Sequence, residues 1–166
     1  MGYVMVELGL MHKLSLLLGH PMLSFSVVLG AMLLSSGVAS LLAHRLSTIR
    51  WLALTLGVLV LALHLALPEI TDWAVQLPTP LRVVVGWTLC VPIGGLLGLP
   101  MVYGLRRIPQ ESIPWAWATN ALFSVAGATL VILVSMTWSF SGVWVVGALA
   151  YSLAVLDAPA SDALAT

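Results

Sequence analysis

Glu7, His12, Lys13 and His20 stand within ELGLMHKLSLLLGHP, a stretch from Glu7 to Pro21 made otherwise of apolar and small residues. A carboxylate, an ammonium and two imidazoles are groups from which proton relays, cation sites and ligand contacts are built inside membranes. Their spacing gives no ready-made site. Lys13 follows Glu7 by six residues, about 240° round a helix, so the two side chains do not face each other. Glu7 must therefore find a partner on another helix or stay neutral. Three roles remain open to it: a structural acid inside a bundle, a cation- or proton-coupled site, or one half of a salt bridge to a partner subunit.

Asn120 poses the same question inside an apolar segment, where an amide is interhelical glue more often than a ligand contact. Glu7, Asn120 and the nearby Trp117 are the polar candidates for a bundle interior, and Asn120 or Ser124 is the expected partner of Glu7. His20 and His64 are the weak candidates for cofactor binding. His64 lies in VLVLALHLAL with no polar neighbour in sequence, a setting in which a neutral ring nitrogen can ligate haem or chlorophyll. A satisfied or interfacial histidine is the commoner outcome, and no cofactor is expected. His44, beside Arg45, reads as a flanking group. There is no HExxH, no paired-cysteine motif and no second histidine at helical spacing, so no metal site is expected. The single cysteine, Cys90, reads as a small packing residue. No nucleophile, base and orienting group stand together, so catalysis by this chain alone is not expected.

Composition decides the class of molecule. Of 166 residues, 61% are hydrophobic and 7% charged, and mean hydropathy is +1.11. A soluble domain carries roughly a quarter charged residues. The chain is an all-α, polytopic membrane bundle in contact with lipid, and with zero formal net charge and no basic run it is not a nucleic-acid binder. No cleavable leader is expected either, because the N-terminus lacks a basic region and Glu7 and Lys13 interrupt the apolar stretch.

Crossing the hydrocarbon core takes about 20 apolar residues. Segments 22–43, 51–67, 81–105, 114–137 and 140–156 qualify, and 2–18 is just long enough, giving six expected spans with a turn near Ser139. The bundle occupies 1–157 and a frayed polar tail 158–166. Gly19-His20-Pro21 breaks the first two spans apart, since glycine frees the backbone and proline cannot continue a helix. His44, Arg45, Arg50, Arg106 and Arg107 fall in loops on one face, whereas the loop 68–80, with Glu69 and Asp72, lies on the other. The positive-inside rule makes the basic face cytoplasmic and puts both termini there, in the cell (inner) membrane. Arg82 is the dissenting charge. Segment 69–77 is amphipathic and is expected to lie flat on the outer surface. Trp51, Trp73, Trp115, Trp117 and Trp138 mark span edges, while Trp87 and Trp144 are deeper and expected to pack. Gly94 with Gly98, Ser36 with Ser40, and Ser124 with Ala128 form smooth strips four residues apart, suited to close helix contact. Pro92 and Pro100 fall inside their span.

Two blocks carry a family resemblance. GYVMVELGLMHKLSLLLGHPMLSFSVVLGAMLLSSGVASLLA resembles the membrane segment of the spermidine synthase-like membrane proteins, with its Val-Glu helix, Leu-Gly-His-Pro and a helix ending in Gly-x-Gly-Ser. IGGLLGLPMVYGLRRIPQESIPWAWATNALFSVAGATLVILVSMTW is similar to the last helices of that family, around Pro-Trp-Ala-Trp-x-x-Asn and Ser-Val-x-Gly. The resemblance implies the C-terminal membrane half of such a protein, without its S-adenosylmethionine-type Rossmann domain. No glycine-rich turn after a strand is present, so aminopropyl or methyl transfer does not carry over. His12-Lys13 stands where the family tends to have Gln-Arg, Ala39 replaces the second glycine of Gly-x-Gly-Ser, Ala121 replaces the glycine after the asparagine, and Val102 a second proline.

Three readings follow. The first is a non-catalytic module, half of a transporter-like bundle, that pairs with itself or with another membrane chain for small-molecule transport. The second is a structural subunit of an energy-transducing or pigment-bearing complex. The third is the membrane component of an enzyme whose soluble transferase domain is a separate chain.

Overall fold

The computed structural model describes the backbone of residues 1–43 and 49–156, with side chains except at 49–53, 139–141, 145, 148 and 151–156. His44, Arg45 and the tail 158–166 lie outside the described residues, as do the side chains of Arg50 and Trp51. Five α-helices make up nearly all of the remainder: α1 (Gly2–Leu18), α2 (Pro21–Leu42), α3 (Ile49–Ala74), α4 (Thr79–Leu105) and α5 (Ile113–Leu156), with a 3-10 turn at Gln110–Ser112 before the last. Four stretches are long and apolar enough to cross a membrane: Pro21–Leu42, Leu54–Ala74, Thr79–Leu105 and Gln110–Trp138. The molecule is an all-helical bundle with membrane-spanning helices.

The break between α1 and α2 forms as its residue types dictate. Gly19 closes α1 in the left-handed conformation, φ 72°, and its N–H donates to the Ser15 carbonyl. His20 then turns extended, φ −146°, and its Nδ1 accepts from the Met22 N–H at 3.3 Å, capping a helix that starts at Pro21. Proline suits that first position because its missing N–H has no helical partner there. Across the turn, the buried Ser24 hydroxyl donates to the Met11 carbonyl at 2.7 Å and ties the two helices together.

α2 packs chiefly on α4, and the contact is backbone to backbone. A Cβ on Gly94 would stand 2.6 Å from the Met32 Cα, and one on Gly98 would stand 2.6 Å from the Ser36 Cβ. The strip expected at Gly94 and Gly98 is thus a contact surface, and α4 continues through Pro92 and Pro100. α1 buries one stripe, Val6, Leu10, Leu14 and Leu17, in a core shared with α2, α3, α4 and Trp144 of α5. The outer faces carry exposed leucines, valines and aromatics, as lipid contact requires.

Two sequence expectations change. The loop 68–80 is shorter than expected, because α3 runs through Pro68 to Ala74. Glu69 and Asp72 ride on the last turns of α3, not on a separate helix flat on the surface. Burial of Leu67 and Ala74 holds the helix past the proline, and the Thr71 hydroxyl bonds back to the Leu67 carbonyl at 2.7 Å. The turn expected near Ser139 takes another form, since α5 stays helical from Ile113 to Leu156.

α5 is nevertheless folded back on itself. Val134 Cγ1 lies 3.3 Å from the position a Gly142 Cβ would take, and Val131 and Val143 share one buried cluster with Met5. On a straight helix, eight residues would span about 12 Å and twelve about 18 Å. The Ser135 and Thr137 hydroxyls bond back to the Ile132 and Leu133 carbonyls at 2.8 and 3.0 Å, a pattern that bends helices. α1 lies between the two arms. Gly127 meets Met1 on the way up, and Trp144 meets Gly9 and Gly147 meets Val6 on the way back.

Candidate functional site

Glu7 is the buried acid of the bundle, 8% exposed, and its Oε1 has no hydrogen-bond partner. One turn earlier on the same face, Tyr3 carries a buried hydroxyl that likewise lacks a partner. That hydroxyl lies within electrostatic reach of Glu7 and beside the Ser36 side chain of α2, without meeting the geometry of a satisfied bond. The Ser36 hydroxyl donates to the Leu33 carbonyl of its own helix at 3.0 Å. Ser36 also sits where α2 crosses Gly98 of α4. The Tyr3 phenol therefore stands between the Glu7 carboxyl of its own helix and the Ser36 hydroxyl of α2.

The expected partners of Glu7 lie elsewhere. Asn120 and Trp117 are exposed on α5, the latter by 54%. Ser124 bonds to the Asn120 carbonyl within that helix, at 2.8 Å. Asn120 and Trp117 are not interior residues, and neither joins Glu7. The physical reason is the fold of α5, which meets Met1 at Gly127 while its residues from Trp117 to Phe123 stay exposed.

The histidines occupy separate places. His20 is the exposed cap of α2. His64 is half-buried on α3 and its ring stands 5.9 Å from that of Trp144, tilted by 36°. Trp144 is 2% exposed and its Nε1 has no partner. Trp87 packs against the core. Cys90 is buried in α4, as a packing residue would be. Among the described residues no cluster of three His, Cys, Asp or Glu side chains could hold a metal ion.

Sequence reasoning passed over Tyr3, although its place four residues before Glu7 puts both on one helix face. It also passed over the work of Arg82. That guanidinium donates to the Leu77 carbonyl at 2.7 Å, to Val75 at 2.5 Å and to Leu17 of α1 at 3.4 Å. The charge that dissents from the loop pattern is consumed by carbonyls left free at helix ends. No protein-family model, no curated protein and no solved structure matches the chain.

Proposed function

We propose that the chain is a non-catalytic integral membrane module that pairs, through the first arm of α5, with a second copy of itself or with another membrane chain. This is the arrangement implied by its resemblance to the C-terminal membrane half of the spermidine synthase-like proteins. Small-molecule transport is the activity such a pairing would serve, because transporter sites form between helical repeats. One observation carries the reading. In Gln110–Trp138 only 11% of the most apolar window is buried, against 33% in Thr79–Leu105. Every residue from Trp117 to Phe123 is exposed, Asn120 among them. A helix uncovered on all sides, carrying an amide that needs a partner, is suited to contact with a neighbouring helix.

With α1 and the returning arm of α5 counted, the chain would cross the bilayer six times. Arg106 and Arg107 follow α4 at the end of the bundle where α1 begins, while Glu69 and Asp72 lie toward the other end. That distribution favours cytoplasmic termini in the cell (inner) membrane. The test is association of the purified chain in nanodiscs or mild detergent, read by native mass spectrometry. Asn120→Leu should weaken the complex by about 0.6–2 kcal/mol, the range of interhelical hydrogen bonds in membranes. A monodisperse monomer that is fully active in liposomes would refute the proposal.

A further inference from the structure

We propose that Glu7, with Tyr3 one turn away on the same helix face, is an exchangeable proton-binding site within the membrane bundle. The proposal needs the chain to lie in a membrane and is independent of pairing through α5. It starts from a buried acid with no counter-ion among the described residues. Glu7 is more than nine-tenths buried and one of its oxygens has no partner. On its own helix, Lys13 points away and His12 is exposed. α2 has no titratable side chain at all. On α4, Arg82 is engaged at the far end of the bundle, Cys90 is buried in the core and Tyr103 hydrogen-bonds with Arg107. On α3, His64 stands against Trp144, Glu69 and Asp72 occupy the last turns, and Arg50 is in the first turn with its side chain outside the described residues. α5 carries only Tyr151, whose side chain is outside the described residues.

An unpaired carboxylate in such a place is far more costly than a neutral acid, and the group takes a proton instead. A metal ion is the poorer occupant. Hard cations such as calcium need six to eight oxygens, and no group of metal-holding side chains is present among the described residues. A carboxyl suits its neighbour, since it donates one bond and accepts others, and the Tyr3 hydroxyl can do either. The event is a simple one. A proton from water forms one O–H bond on the Glu7 carboxylate, the site becomes neutral, and the proton returns to water on release. Glu7 is five residues from the start of α1, about 8 Å along the axis, so exchange runs through the end of the bundle at which α1 begins.

The experiment uses the full chain in liposomes and dicyclohexylcarbodiimide, an apolar reagent selective for protonated carboxyls in apolar surroundings. Peptide mass spectrometry should find the adduct on Glu7 and not on the exposed Glu69 or Asp72. Above the midpoint, labelling should fall about tenfold per pH unit, as one protonation requires. Glu7→Asp should keep the adduct and Tyr3→Phe should shift the midpoint. In infrared difference spectra, the carboxyl band should move on transfer to deuterated water and be lost in Glu7→Gln. A folded chain without Glu7 adduct at any pH, labelling that ignores pH, or a carboxyl band that does not exchange would each overturn the proposal.

Discussion

Gly94 and Gly98 approach α2 so closely that a side chain on either would meet atoms that cannot rotate aside, the Met32 Cα at Gly94 and the Ser36 Cβ and Cα at Gly98. Gly57, on α3, has nothing within 4 Å of the place its Cβ would occupy. Gly94→Ala should therefore destabilise the bundle by about 1–3 kcal/mol, whereas Gly57→Ala should stay within about 0.5 kcal/mol. Thermal unfolding followed by size exclusion would separate the two, and equal loss in both variants would contradict this account of the α2–α4 contact. The pair at 94 and 98 was legible because small residues four apart share a helix face. Glu7 was legible as a buried acid for a similar reason, since hydrocarbon excludes a bare carboxylate. Its neighbours were not, because which side chain of another helix lies opposite depends on helix rotation and depth. Asn120 was the natural choice by residue type, yet the polar group near Glu7 is Tyr3 of its own helix, to which α2 brings the Ser36 hydroxyl.

Arg82 acts between elements. Its guanidinium reaches the turn between α3 and α4 and, 65 residues back in sequence, the Leu17 carbonyl at the end of α1. Hydrogen bonds involving a charged group contribute about 1.5–3 kcal/mol. Arg82→Ala should cost about that much in unfolding experiments and should speed amide exchange in the last turn of α1. Arg82→Lys should recover part of the loss, because an ammonium cannot span three carbonyls with the same fork. Unchanged exchange at Leu17 and Leu18 in Arg82→Ala would remove this role. Gly19, His20 and Pro21 were legible locally, each residue favouring the conformation it adopts. Pro68 was misread, and the turn near Ser139 was legible in place but not in form. Burial on α3 carries helix past a proline, and a fold-back of α5 replaces an interruption.

For the whole molecule, apolar composition was sufficient to identify a helical membrane protein, and the charges suggested its sidedness. With Cys90 replaced by alanine, Gln76→Cys should react with an impermeant maleimide on intact cells, and Glu111→Cys should react only after the membrane is opened. The reverse pattern would invert the topology. The placement of α1 between the arms of α5 was not legible, since no local pattern specifies which distant helix fills a groove. That placement has a consequence for synthesis. Gly9 and Trp144, which meet in the finished bundle, leave the ribosome on the order of ten seconds apart at ordinary elongation rates. Until the second arm arrives, lipid or an insertion factor must cover the face of α1 that carries Met5 and Gly9. Assembly of this bundle is therefore a post-insertion event, and a translation pause between the two arms of α5 would prolong its most vulnerable stage.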